Sequence, residues 1–198
     1  MKVEFLTNND ISLSLADWLK QSRGEQVLIN KERLNPENLK KRQPDLVVSY
    51  NYKYIIPPDV LGILPGKFIN LHISLLPWNR GADPNFWSFV ENSPKGVTIH
   101  LIDEGIDTGN ILLQKEIIFN EEEETLASSY RKLHQALQDL FKSNWTHIRN
   151  FEIVPQTQIK EGGSIHYLKD FAKTKSILGD EGWNIPIPLL KKRFSEIK

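Results

Sequence analysis

The chain has 198 residues, of which 39% are hydrophobic and 25% charged, with 11 glycines and 11 prolines. That size and composition fit one globular domain and exclude disordered, collagen-like and low-complexity chains. Lys plus Arg equals Asp plus Glu at 25 each, and there is no cysteine. The balance excludes a whole-domain basic surface for nucleic acid, and the missing thiols exclude a disulfide scaffold, a thiol nucleophile and Cys-ligated zinc.

The opening stretch, Met1 to Asn8, carries an acid at Glu4 and no apolar run of signal-peptide length, and no later run approaches membrane-spanning length. A soluble, cytoplasmic protein with no membrane partner is expected. Val3 to Leu6 reads as the first strand. Ile11 to Gln21 sets Ile11, Leu15, Trp18 and Leu19 at helical spacing, Gly24 stops that helix, and Gln26 to Ile29 reads as a second strand. Arg33 to Arg42 is a short polar helix, and Leu46 to Ser49 is a strand of the fully buried kind that parallel sheets use. Phe68 to Leu71 and Val97 to Leu101 add two more, with Pro77, Gly81, Pro84 and a helix over Asn85 to Glu91 between them. Ile111 to Phe119 also fits a strand. This alternation predicts an α/β fold, a Rossmann-like and mostly parallel sheet flanked by helices.

Glu121 to Glu124 reads as the solvated start of a long helix, where acids suit the positive end of the dipole. Leu126, Tyr130, Leu133, Leu137, Leu140, Phe141 and Trp145 mark one face of that helix. From Phe151 onward strands and loops return, Gly162 and Gly163 mark a turn, and Pro186 and Pro188 break any late helix. Trp183 to Leu190 either covers an apolar patch or seats a second subunit in a homodimer; nothing separates the two. No linker divides the chain.

Chemistry concentrates between Phe68 and Gly109. On a strand Asn70, His72 and Ser74 share a face, so an amide, an imidazole and a hydroxyl converge at its carboxyl end, where ligands of open α/β sheets sit. Each residue alone has a structural explanation: a strand-end histidine is usually a satisfied group, and Asp107 between Gly105 and Gly109 suits a turn. Their combination is hard to ascribe to packing. The histidines, His72, His100, His134, His147 and His166, show no metal-ligand spacing, and no metal is expected.

The segment resembles the 10-formyltetrahydrofolate-dependent formyltransferases, whose hallmark is Asn-x-His-x-Ser-Leu-Leu-Pro followed by Asp-x-Gly-x-Asp-Thr-Gly. Both halves stand here as Asn70, His72, Ser74, Leu75, Leu76 and Pro77, then Asp103, Gly105, Asp107, Thr108 and Gly109. The resemblance implies a catalytic domain over residues 1–150, with 151–198 as an extension packing on it, and Asn70, His72 and Asp107 as the catalytic trio. It implies a folate-pterin pocket from Tyr50, Tyr52, Tyr54, Ile55, Leu76, Pro77, Gly105 and Asp107, with 10-formyltetrahydrofolate as formyl donor. Formyl transfer to an amine needs a stabilised oxyanion and a proton for the departing folate nitrogen. Asn70 suits the first, and His72, oriented by Asp107, the second.

Family relatives differ in the acceptor. Those acting on methionyl-tRNA carry an added C-terminal barrel, and the short stretch after the long helix here points away from tRNA, as does zero net charge. Glycinamide ribonucleotide enzymes open on a glycine-rich phosphate turn, where this chain has Thr7, Asn8, Asn9 and Asp10. Pro77 to Trp87 is similar to the matching stretch of sugar N-formyltransferases. That implies a small-molecule substrate, the amino group of a nucleotide-linked deoxysugar, bound by Ser74, Trp78, Arg80 and Asp83. Trp78, Trp87 and Tyr52 are candidates to stack on a base or sugar. The alternatives are another small amine as acceptor, glycinamide ribonucleotide included, or a folate- or nucleotide-binding module without turnover.

Overall fold

The computed structural model describes residues 1–159 and 161–197. Its strands are β1 (Lys2–Leu6), β2 (Gln26–Asn30), β3 (Leu46–Tyr50), β4 (Phe68–His72), β5 (Arg80–Gly81), β6 (Gly96–Leu101), β7 (Ile111–Glu116) and β8 (Ile165–His166). Its helices are α1 (Leu13–Arg23), α2 (Pro36–Arg42), α3 (Pro58–Leu61), α4 (Pro84–Val90), α5 (Leu126–Ser143), α6 (Trp145–Arg149), α7 (Leu168–Thr174) and α8 (Ile187–Glu196). Six strands form one sheet in the order β2-β1-β3-β4-β6-β7, and β5 pairs with β8 in a small parallel ribbon. The pairings β1/β2, β1/β3 and β3/β4 are parallel. β7 returns antiparallel to β6, since Leu101 N donates to Asn110 O and Ile117 N to Lys95 O, each at 2.8 Å. The sheet is therefore mostly parallel and helix-flanked, as the alternation predicted.

The chain divides into two compact units. The first comprises Met1–His72, Ile99–Leu113 and Leu140–Gln158, and the second Ile73–Thr98, Gln114–Asp139 and Ile159–Lys198. In the first, Leu6, Val47 and Phe68 from three strands pack with Leu39 of α2 and Val60 of α3. Gly24 ends α1 at φ 66, a left-handed conformation that costs glycine nothing. α2 starts at Pro36 rather than Arg33, because the Asn35 side chain accepts from Asn38 N at 2.9 Å and proline suits the first helical position. β7 stops at Glu116, short of Phe119, and the predicted single long helix breaks at Asn144, so that Trp145 begins α6.

The tail follows the expected reading at first, with loops, a bridge at Gln156 and β8, and departs from it at Leu168, where helices begin. Pro186 caps α8 and Pro188 lies in its first turn, where a missing N–H costs nothing, so these prolines start a helix instead of breaking one. Ile187, Leu190 and Phe194 bury one face of α8 among Phe86, Trp87, Phe89, Leu126 and Phe171. The acidic run is also corrected. Glu121 lies between Lys95 at 3.2 Å and Lys191 at 2.7 Å, while the buried Glu124 carboxylate takes the Ser128 hydroxyl and the Lys132 ammonium. The α5 N-terminus is capped by Thr125 and Ser128, whose hydroxyls and backbone N–H groups bond reciprocally at 2.9 and 3.0 Å. Among the described residues no helix is long and apolar enough to cross a membrane.

Candidate functional site

β4 carries Asn70 and His72 two residues apart, hence on one face. Its neighbour β6 carries His100, and the turn from β6 to β7 carries Asp107. Asn70 Nδ2 donates to Asp107 Oδ1 at 3.1 Å and lies 3.2 Å from His100 Nε2. His100 Nδ1 lies 2.7 Å from the Leu101 carbonyl. A carbonyl only accepts, so Nδ1 bears the hydrogen, and in the neutral ring Nε2 takes the second Asn70 N–H. The 3.4 Å approach of His100 Nε2 to Asp107 Oδ1 is then bridged by a single amide. His72 Nδ1 stands 3.8 Å from Asp107 Oδ2, within ion-pair range and longer than a hydrogen bond. The two imidazoles meet edge to face with centroids 6.4 Å apart.

The loop that delivers Asp107 explains its own sequence. Asp103 Oδ1 accepts from Gly105 N at 3.1 Å and from the Thr108 hydroxyl at 2.6 Å, folding the turn on itself. A Cβ on Gly105 would meet Thr108 Oγ1 at 2.0 Å, and one on Gly109 would meet the Leu101 carbonyl at 1.8 Å. Asp107 itself sits at φ 50, a conformation that Asp and Asn tolerate better than other side chains. Each fixed residue of Asp-x-Gly-x-Asp-Thr-Gly thus has a steric or hydrogen-bonding reason, and the result is a carboxylate aimed at Asn70 and His72. A carboxylate so placed can orient an imidazole while a proton moves.

Ser74 differs from expectation: β4 ends at His72, so the alternation stops before it. Its hydroxyl is buried and has no hydrogen-bond partner among the described residues, while its carbonyl accepts from Thr98 Oγ1 at 2.7 Å. Of the expected pterin residues in the first unit, the Tyr50 ring is wholly buried and serves the core. Tyr52 donates its hydroxyl to Glu32 O at 2.6 Å and accepts from Leu34 N at 2.9 Å, and burial pushes its phenol up. Tyr54 meets Tyr52 edge-on and lies under Arg33 and Lys53, while Ile55 is 75% exposed. The turn after β1 is filled by its own side chains, Asn9 Oδ1 accepting from Ile11 N at 3.1 Å.

In the second unit, Leu76 is buried, its N–H donating to Thr98 Oγ1 at 3.2 Å, and it joins Pro77 through a cis peptide. Trp78 is half-buried. Arg80 donates its backbone N–H to Ser164 O at 3.0 Å, and Asp83 is half-buried at φ 52, where burial pushes its carboxyl up. Trp87 is buried and stacks on His166 at 4.0 Å, which makes its ring a packing element with no face for a base. Among the described residues no group of His, Asp and Glu is arranged to hold a metal ion.

Sequence reasoning missed His100. The signal was present in Thr98-Ile99-His100, a polar alternation on β6 of the same period as Asn70 and His72, but the pairing that brings it to Asn70 is a matter of strand order.

A formyl transferase family model matches residues 18–143. A methionyl-tRNA formyltransferase from Thermodesulfovibrio yellowstonii is 37% identical over 164 residues, 79% of this chain and 50% of that protein. The chain spans about half the length of such curated relatives. A crystal structure of the formyltransferase PseJ from Anoxybacillus kamchatkensis, in complex with UDP-4,6-dideoxy-4-formamido-L-AltNAc and tetrahydrofolate, is similar at TM-score 0.88 and 42% identity, covering 98% of this chain and 100% of that one. A sugar N-formyltransferase from Shewanella sp FDAARGOS_354 is similar at TM-score 0.77 and 25% identity, covering 98% and 87%.

Proposed function

The chain belongs to the formyl transferase family, and from that premise we propose that it transfers the formyl group of 10-formyltetrahydrofolate to the amine of a nucleotide-linked amino deoxysugar. The observation that carries this reading is the match to PseJ, which runs the length of both chains at 42% identity and whose complex holds a UDP-linked 4-formamido sugar and tetrahydrofolate. A UDP-linked 4-amino-4,6-dideoxy sugar is accordingly the first acceptor to try. Half-buried Asp83 and the Arg80 side chain, on the stretch similar to sugar N-formyltransferases, are the proposed acceptor contacts.

In the proposed mechanism the neutral amine attacks the formyl carbon, the carbonyl electrons move to oxygen, and the tetrahedral adduct collapses with cleavage of the bond to the folate nitrogen. A proton leaves the attacking nitrogen and one reaches the departing nitrogen. Asp107 faces His72 on the Nδ1 side, so the Nε2 side is assigned to the reacting atoms and the proton. Asn70 stabilises the oxyanion by turning toward it the N–H now held by His100, while its other N–H stays on Asp107.

The test is incubation with 10-formyltetrahydrofolate and a panel of nucleotide-linked 3-amino and 4-amino deoxysugars, reading tetrahydrofolate release and the formamide product by mass spectrometry. Turnover with one of them is expected. The curated relatives favour a second reading, methionyl-tRNA as acceptor, and a charged-tRNA arm in the same panel decides between them. Folate binding with no transfer to any acceptor would defeat both.

A further inference from the structure

We propose that Gln158 is a positioning residue for Asp107, an inference that rests on the formyl-transfer reading above. Gln158 lies beyond the family-matched segment, which ends at residue 143, and is buried. Its Nε2 donates one hydrogen to the Asp107 carbonyl at 3.0 Å and the other to the Gly109 carbonyl at 3.1 Å. The strand-like segment that brings it is anchored at Gln156, whose N–H and C=O each bond Ile111 at 2.8 Å. Gln158 therefore clips the backbone on both sides of Thr108, at the turn where Asp107 is held at φ 50. A side chain at positive φ keeps that conformation only while its surroundings over-determine it.

Asp103 ties the turn from within and Gly109 seats it on Leu101. The carbonyl of Asp107 itself is held by Gln158. Releasing it frees the Asp107 backbone to relax toward negative φ, which swings the carboxylate away from Asn70 Nδ2 and His72 Nδ1. Gln158 Oε1 is buried with no hydrogen-bond partner among the described residues, so what this side chain contributes is its two donors. A role of that kind lowers the chemical step through Asp107 and leaves donor binding largely in place.

The experiment compares Gln158→Met, which keeps the volume and loses both donors, with Asp107→Asn and the double variant in formyl transfer. Gln158→Met is expected to lose 10- to 100-fold in kcat with less than a threefold change in KM for 10-formyltetrahydrofolate. In the Asp107→Asn background the same change should cost less than threefold, because its effect passes through the carboxylate already removed. A kcat within twofold of the parent, or a loss that multiplies in full with that of Asp107→Asn, overturns the inference and leaves the functional reading standing. Parent protein with no transfer to any acceptor overturns both. If Gln158→Met does not fold, Gln158→Asn, with both donors one methylene short, takes its place under the same criteria.

Discussion

Asp107→Asn is the most direct probe of the site because it changes charge and little else. Asn tolerates φ 50 as well as Asp does, keeps an acceptor oxygen for Asn70 Nδ2, and matches the shape of the carboxylate. What disappears is a negative charge 3.8 Å from His72 Nδ1. Two unit charges at that distance interact by about 4 kcal/mol at an effective dielectric of about 20, which corresponds to roughly a thousandfold in rate if the imidazole is charged in the transition state. That lies inside the range of about 100- to 10,000-fold that positioned acid-base groups contribute. The assay is tetrahydrofolate release at saturating donor and acceptor, with circular dichroism and thermal melting to confirm the fold. The loss belongs in kcat, and a variant within tenfold of the parent, or one altered only in KM, would refute the reasoning.

His100→Leu should cost roughly tenfold in kcat with the fold intact, since the Asn70 amide loses the acceptor that fixes its orientation before the oxyanion forms; parent-like turnover would show that His100 does not hold the amide. Gly109→Ala should destabilise the protein by at least about 3 kcal/mol in urea denaturation, as its Cβ would lie 1.8 Å from the Leu101 carbonyl, whereas Gly62→Ala, whose nearest contact is 3.4 Å, should be neutral. Burial pushes the His134 imidazole down to about 4 from an ordinary 6.5. Between those values the unfolded chain binds the proton first, so this contribution is complete above pH 6.5 and declines by about 3 kcal/mol as the pH falls toward 4. Urea midpoints from pH 7.5 to 4.5 should fall less steeply in His134→Leu than in the parent, and equal slopes would count against the burial argument.

The two motif halves were legible because their chemistry is packed into short stretches with strong local rules. Period two put Asn70 with His72, and the turn around Asp107 is built almost wholly from its own residues, Asp103, Gly105 and Thr108. What the sequence withheld depends on partners far along the chain. His100 acquires its role from strand order, and Glu121, which reads as a solvent-facing acid, finds Lys191 seventy residues later. Ser74 reads as a strand residue because nothing local says that β4 stops at His72. The late helices were hidden by Pro186 and Pro188, residues that stop a helix from within and open one from its first turn; only the spacing of Ile187, Leu190 and Phe194 separates the cases.

Gln158, Gly163 and Ser164 close stretches made much earlier in synthesis. Gln158 reaches back 51 residues to Asp107, and Ser164 reaches back 85 to Asn79, beside the point where Gly163 lies against the Pro77 carbonyl. A ribosome must therefore finish most of the polypeptide before either motif can be fastened. A gene trimmed to the family-matched stretch, residues 18–143, would encode neither of these late fastenings.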